Sequence, residues 1–126
     1  MTSNSGGECI HLRYIILYMY VSDPVQADFG ALTVIDAVTT RGNPTLSNYW
    51  VKLYTLSYSS NNVTWLDVTD ASGNTKVFPG NTDTDSAVIN MLPSPLTARY
   101  LRLHPVQWQG HISMRWDVSR FRGKLR

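Results

Sequence analysis

The sequence predicts an all-β protein whose antiparallel strands form a sandwich or a barrel. Strand-like segments recur along the chain, with turn-forming residues between them about every 8–12 residues. No segment keeps the hydrophobic period of a helix, which is about 3.6 residues. Of the 126 residues, 43% are hydrophobic and only 16% are charged. The first share argues against a disordered chain and the second against a coiled coil or long solvated helices.

Each predicted strand is rich in β-branched and aromatic residues. The first is the most apolar, and a short buried helix stays open as an alternative for it. One face of the third predicted strand carries four large residues at even-numbered positions, namely Trp50, Tyr54, Leu56 and Tyr58. The last predicted strand alternates between apolar and polar residues, so it has one apolar and one polar face. Turns are expected at 60–62 and 93–95, and a loop at 105–110. The strands are predicted at 10–21, 32–40, 49–59, 63–68, 76–78, 87–92, 99–104 and 112–118.

Charge and cysteine content exclude several classes of protein. Eleven Lys and Arg residues against nine Asp and Glu residues give +2, but four of the bases follow Asp117. The rest of the chain therefore carries −2 and is a poor nucleic-acid binder. A single cysteine, Cys9, allows neither an internal disulfide nor a cysteine-based zinc site. The longest apolar run, 14–21, is too short to span a membrane, and it makes an unconvincing signal peptide.

Catalysis has little support from the sequence. Asp83 and Asp85 are two residues apart and could act as an acid–base pair or bind calcium, but aspartates of this kind also stabilise ordinary turns. The turn is the favoured interpretation, and a free-standing enzyme that uses both carboxylates is kept as an alternative. The three histidines have no spacing typical of a metal site. No enzyme activity, no metal and no cofactor are therefore expected.

The tryptophans divide into two groups. Trp50, Trp65 and Trp116 fall within strand patterns and are predicted to lie in the core. Trp108 falls in the predicted loop at 105–110, where a tryptophan either caps the edge of the core or contacts a ligand.

Seven motifs, in register from Gln26 to Val118, resemble the discoidin family, also known as the C-type domains of coagulation factors V and VIII. The neuropilin and factor V/VIII branches are the most similar. Each motif is weak alone, but their order and spacing agree together. The motifs are QADFG at 26–30, VTTRG at 38–42, YWVKLY at 49–54, SNNVTW at 60–65, VFPGNTD at 77–83, PLTARYLR at 95–102 and ISMRWDV at 112–118.

The resemblance implies a jelly-roll β-sandwich of the galactose-binding type, shortened at the N-terminus. It divides the chain into an unmatched leader or divergent first strand (1–25), the sandwich (26–121) and a basic tail (122–126). Only 25 residues precede the first motif, so two of the family's three binding loops have no counterpart. Phe121 stands where the family has its closing cysteine. Arg99 and Arg115 are expected to brace strands.

The family's third binding loop is retained at 41–49, which implies a non-catalytic, extracellular binding or adhesion module. Leu46 matches a residue that inserts into lipid, and Thr45, Ser47 and Tyr49 match groups that hold a carboxylate or a sugar. Arg41 replaces the family's glutamine and could attract anionic lipid. The predicted ligand contacts are Arg41, Asn43, Thr45, Leu46, Ser47, Tyr49 and Trp108.

The expected partner is a cell-surface or matrix protein, a glycan or an anionic phospholipid. An alternative is an accessory carbohydrate-binding domain of a larger hydrolase, with Trp108 as a platform for sugar stacking. Asn62 begins the chain's one N-x-[ST] sequon that lacks an intervening proline, and it is the predicted glycosylation site.

Overall fold

The computed structural model describes the backbone of residues 8–18, 24–43 and 48–122, and the side chains of 24–43 and 48–120. Residues 1–7 and 19–23 of the predicted leader and residues 123–126 of the basic tail lie outside this part of the chain. The described part contains seven strands and no helix, and all its strand pairs are antiparallel, which confirms the predicted class. The strands are β1 (Glu8–Tyr18), β2 (Val25–Arg41), β3 (Trp50–Ser59), β4 (Leu66–Asp67), β5 (Phe78–Pro79), β6 (Val88–Gln109) and β7 (Ser113–Arg122).

The strands form one continuous sheet that folds over itself. Its order is β1-β7-β2-β6-β3-β4, and β5 pairs with β3. The long strands β2 and β6 belong to both halves, since the C-terminal part of β2 pairs with β7 and that of β6 with β3. Tyr54 and Leu56 of β3 share one core with Met114 and Trp116 of β7, although two strands separate β3 from β7. The two halves therefore face each other as a sandwich, as predicted.

Strand β6 corrects two predictions made from proline positions. The turn expected at 93–95 and the loop expected at 105–110 both lie largely inside β6. Between Met91 and Leu96 the register of β6 against β2 shifts, and Pro93 and Pro95 fall in that irregular stretch. Pro105 lies beside another register shift, against β3. A proline is tolerated in a sheet where the ladder needs no N–H from it, so the strand continues through all three.

Trp65 was expected in the core, and that expectation is wrong. The turn after β3 extends to Thr64, because Asn61 Oδ1 accepts hydrogen bonds from the amides of Val63 and Thr64 at 2.9 Å. Strand β4 starts only at Leu66, so Trp65 precedes it and is half-buried. Trp50 is also half-buried, whereas Trp116 lies in the core as predicted.

Within the described residues, no helix is long and apolar enough to cross a membrane.

Candidate ligand-binding site

The predicted binding loop lies where β2 ends and β3 begins. Arg41, Asn43 and Tyr49 belong to the described part of this segment, whereas Thr45, Leu46 and Ser47 lie outside it. The turn between β6 and β7, at 110–112, reaches the same end of the sandwich, since Trp50 pairs with Gln109. We call this region, from residue 41 to 49 with the 110–112 turn, the loop end.

A narrow neck closes the base of the loop. The Asn43 amide N–H donates to the carbonyl oxygen of Tyr49 at 3.1 Å, and the two residues form an isolated β-bridge. The Asn43 side chain is 1% exposed, and its Nδ2 donates to Ser113 Oγ at 2.8 Å. This buried amide ties the loop to the first residue of β7, so its side chain faces the protein.

Gly42 lies in close contact with the neighbouring segment 81–86. A Cβ at Gly42 would stand 2.7 Å from Thr84 Cα and 2.9 Å from the Asp83 carbonyl oxygen. Arg115 of β7 joins both segments, because its Nε donates to the Gly42 oxygen at 2.9 Å and its Nη2 to the Thr84 oxygen at 3.3 Å. Any side chain larger than hydrogen at Gly42 would push these backbones apart.

Arg115 and Arg99 both brace the structure, as predicted. Arg99 forms a two-pronged pair with Asp28, with its Nε 2.8 Å from Oδ1 and its Nη2 3.1 Å from Oδ2. That pair links β6 to β2, whereas Arg115 links β7 to the loops. Planar guanidinium groups suit both tasks, because they donate several hydrogen bonds in fixed directions.

Asp83 and Asp85 lie in a turn that is stabilised by hydrogen bonds to the Asp83 carboxylate. The sequence also favours a turn for these two residues over an acid–base pair or a calcium site. Asp83 Oδ1 accepts from the amides of Ser86 at 2.7 Å and Asp85 at 3.0 Å, and its Oδ2 accepts from the Ser86 hydroxyl at 2.8 Å. These bonds, above all the one from the Ser86 amide, lower the pKa of the Asp83 carboxyl. The carboxylate thus shapes its own loop.

Tyr49 is held between the loop and the 110–112 turn. Its ring meets that of His111 edge-on, with centroids 5.0 Å apart and an interplanar angle of 82°. A Cβ on Gly110 would collide with the Tyr49 ring, and Gly110 has a φ of 71°, which favours glycine. The half-buried aromatic ring is therefore fixed by packing on the turn.

Arg41 and Trp108 lie on strands that end at the loop end. Arg41 is exposed, and its Nη1 donates to the Asp85 carbonyl oxygen at 3.1 Å. Trp108 is 37% exposed and opposes Val51 within the β6–β3 ladder, not in a loop. It lines a hollow of about 310 Å³ with Lys52, Val106 and Gln107.

Asn62 lies at the far end of the molecule. It is exposed in the turn after β3, with a φ of 65°, and its Oδ1 accepts from Gln26 Nε2 at 3.2 Å. The ten residues of β3 span about 30 Å between the loop end and this turn.

One pairing of potentially reactive groups is not evident from the sequence. Ser57 Oγ lies 2.7 Å from His104 Nε2. Burial lowers the pKa of this histidine, although the carboxylate of Asp67 acts in the opposite direction. Ser57 is only 4% exposed, so the hydroxyl is closed to a substrate. Only the cross-strand register reveals the pairing of Ser57 with His104, because 47 residues separate the two in the sequence.

The described residues hold no group of three or more His, Cys, Asp or Glu side chains that could bind a metal.

Comparisons with known proteins agree with this architecture. Human neuropilin-1 is 38% identical over 98 residues, which cover 75% of this chain and 10% of neuropilin-1. Pig coagulation factor VIII is 40% identical over 96 residues, with 75% of this chain and 4% of factor VIII covered. Mouse retinoschisin is 32% identical over 102 residues, which cover 80% of this chain and 45% of retinoschisin. The chain thus spans less than half of each of these curated relatives.

Solved structures give the same picture. The wild-type discoidin II of Dictyostelium discoideum superposes with a TM-score of 0.71 at 26% identity, over 85% of this chain and 40% of that one. The module CBM32-1 of a family 31 glycoside hydrolase from Clostridium perfringens superposes with a TM-score of 0.61 at 17% identity, over 80% of this chain and 71% of that one. At this low identity, the similarity shows the shared fold alone. The sequence profile of the F5/8 type C domain matches residues 20–118. The chain therefore belongs to the F5/8 type C, or discoidin, domain family.

Proposed function

We propose that this chain is a non-catalytic, extracellular binding module whose ligand docks at the loop end. Domains of its family bind phospholipids, glycans or proteins. The proposed ligand contacts are Arg41, Thr45, Leu46, Ser47, Tyr49 and Trp108. Asn43 is assigned a supporting role instead, because its amide is buried against Ser113.

The fixed position of Tyr49 is the observation that carries this proposal. Packing against Gly110 and His111 holds the ring at the surface, so little side-chain freedom is lost when a ligand binds. The neck between Asn43 and Tyr49 and the Arg115 hydrogen bonds restrict the base of the loop in the same way. Binding residues that are positioned by a rigid scaffold are typical of a recognition surface.

A carboxylate or a sugar fits the loop better than a membrane does. Thr45, Ser47 and Tyr49 supply three hydroxyl groups that can donate and accept hydrogen bonds. Leu46 alone would contribute about 1.5–3 kcal/mol if it were fully buried in lipid, which is too little for stable anchoring. Arg41 would add about 1 kcal/mol toward an anionic lipid.

Trp108 favours a second candidate function, that of an accessory carbohydrate-binding domain in a larger hydrolase. More than a third of its surface is exposed, and an indole face can stack on a sugar ring. The fold is shared with the carbohydrate-binding module from the Clostridium hydrolase. In that case glycans would be the only ligands, and the loop hydroxyls would contact sugar.

Two variants test the proposal, Tyr49→Phe and Leu46→Ala. Each is compared with the wild type for co-sedimentation with phosphatidylserine vesicles and for binding to a glycan array and a peptide array. Removing the Tyr49 hydroxyl should weaken binding to the array ligand by about 1–3 kcal/mol, roughly 5- to 150-fold. If lipid is the ligand, Leu46→Ala should lower vesicle binding instead. Unchanged binding in both variants would contradict the proposal.

A further inference from the structure

The sheet carries a cluster of aromatic and polar side chains on its outer surface, far from the loop end. We call the group formed by Gln26, Asn62, Trp65, Tyr100 and Arg102 the distal face. Gln26 and Arg102 oppose each other in the β2–β6 ladder, and Trp65 follows the turn that contains Asn62. Because opposed residues of neighbouring strands lie on the same side of a sheet, these side chains meet on one surface.

Two contacts hold Arg102 in a fixed orientation. Its Cζ lies 3.9 Å from the centre of the Trp65 ring, and its Nε donates to Gln26 Oε1 at 2.9 Å. Gln26 is held in turn, because its Nε2 donates to Asn62 Oδ1 at 3.2 Å. A guanidinium that is stacked on an indole and restrained at Nε loses little side-chain freedom when it binds a ligand.

The terminal nitrogens of Arg102 remain available. Within the part of the chain that the structure describes, Arg102 forms no ion pair, and its side-chain hydrogen bond is the one from Nε. The neighbouring Arg99 differs, because Asp28 neutralises it through two hydrogen bonds. The carboxylate of Asp67 on β4 accepts from the Thr75 hydroxyl at 3.1 Å. Arg102 is therefore a half-buried cation whose Nη1 and Nη2 groups can still donate to a ligand.

The composition of the distal face is typical of a contact between proteins. Tryptophan, tyrosine and arginine are enriched among the residues that carry most of the binding energy of an interface. Trp65 and Tyr100 are half-buried with ring centroids 6.4 Å apart, and Val63 in the adjoining turn is 80% exposed. Apolar contact area around one cation suits a protein segment, whereas a polyanion such as a nucleic acid is held by several cations.

We propose that the distal face binds an acidic segment of a partner protein, in which an aspartate or glutamate carboxylate pairs with Nη1 and Nη2 of Arg102. The two N–H groups at the end of a guanidinium match the two oxygens of a carboxylate, so the pair is directional as well as charged. An apolar residue beside that acid packs against Trp65 and Val63. The distal face lies about 30 Å from the loop end along β3, so both surfaces can be occupied at once.

The test uses the whole chain, produced in bacteria so that Asn62 is bare, and an array of random dodecapeptides. The peptides are acetylated and amidated, so every carboxylate belongs to a side chain. The wild type and Arg102→Gln are screened in parallel, and the peptides that only the wild type retains should be rich in Asp or Glu. In calorimetric titration with the strongest of them, Arg102→Gln should weaken binding about tenfold or more.

Lys52→Gln is the matched control for charge. It removes one positive charge from an exposed residue of β3, roughly 17 Å along the strand from Ser57, which opposes Arg102. Screening over this distance should limit the change in affinity to less than about threefold. Amide NMR spectra of the wild type with the same peptide give a readout that needs no variant. Shifts are expected at 62–65 and 100–104, with unchanged signals at 41–49.

Four outcomes would overturn the inference. The first is that the wild type retains no peptide that Arg102→Gln loses, and the second is that the peptides lost carry no acidic residue. The third is an equal loss of affinity in Arg102→Gln and Lys52→Gln. The fourth is a set of shifts at 41–49 in place of 62–65 and 100–104, which would put the peptide at the loop end instead.

Discussion

Arg115 of β7 donates a hydrogen bond from Nε to the main-chain oxygen of Gly42, 2.9 Å away, and so fixes the point at which β2 turns into the binding loop. The same side chain donates to Thr84 and lies 3.9 Å from an Asp85 carboxylate oxygen. The loop end is therefore held in place by a residue of a strand that contributes no proposed ligand contact.

Replacing Arg115 with lysine should destabilise the domain by about 1–3 kcal/mol. A lysine has a single ammonium group and cannot serve the Gly42 and Thr84 oxygens together, so one half-buried carbonyl would lose its partner. Urea unfolding of the variant and the wild type measures the difference. Lys52→Arg, at an exposed residue of β3, is the control and should change the stability by less than about 0.5 kcal/mol, as is usual for a surface substitution. Equal stability of Arg115→Lys and the wild type would show that the brace is not needed.

Trp65→Ala should destabilise the domain by only about 1–2.5 kcal/mol. Trp65 is half-buried and packs beneath Arg102, whose Cζ lies 3.9 Å from the centre of its ring, so the substitution removes a cation–π contact and part of a buried surface. Trp116→Ala, at a residue that is 1% exposed, should cost about 3–5 kcal/mol. Urea unfolding of both variants checks this order. Similar losses for the two would place Trp65 in the core after all.

Asn62 should carry a glycan when the chain is produced in a secretory pathway. The residue is exposed in a turn, and its Nδ2 is the atom that a glycan modifies, whereas the hydrogen bond from Gln26 uses Oδ1. Mass spectrometry of secreted protein should find modified Asn62, and Thr64→Ala should abolish the modification. Because the loop end is about 30 Å away along β3, the glycan should leave ligand binding unchanged. Secreted protein with bare Asn62 would count against this site.

Stability should fall as the pH drops below about 6.5, partly because of His104. Burial lowers the pKa of this histidine, the charge of Arg102 lowers it further, and Asp67 opposes both. The unfolded state therefore binds the proton more readily, so the stabilisation is complete above the unfolded pKa of about 6.5 and is lost as the pH falls through the folded value. NMR titration should give a pKa below 6.5 for His104. Urea unfolding between pH 7.5 and 5 should show a smaller loss for His104→Gln than for the wild type.

The sequence sufficed for the fold class, because alternating strands such as β3 and β7 display their buried faces directly. The sequence misleads where prolines suggest that a strand ends. Pro93, Pro95 and Pro105 fall at register irregularities, and only the pairing partners reveal that no N–H is required there. The turn after β3 is also longer than predicted, since its length depends on hydrogen bonds that Asn61 Oδ1 accepts from the amides of Val63 and Thr64, and composition does not disclose them.

The binding loop could be predicted from motif order, but the roles of its residues could not. Asn43 looked like a ligand contact, yet its burial depends on Ser113, which is 70 residues away in sequence.

Chemical-shift mapping tests the central claim, the docking of the ligand at the loop end, most directly. Two-dimensional amide NMR spectra are recorded while the strongest array ligand that depends on Tyr49 is added. Shifts are expected at 41–49 and 110–113, with unchanged signals in the turn at 60–64, about 30 Å away along β3. Shifts confined to 60–67, or absent from 41–49, would contradict it.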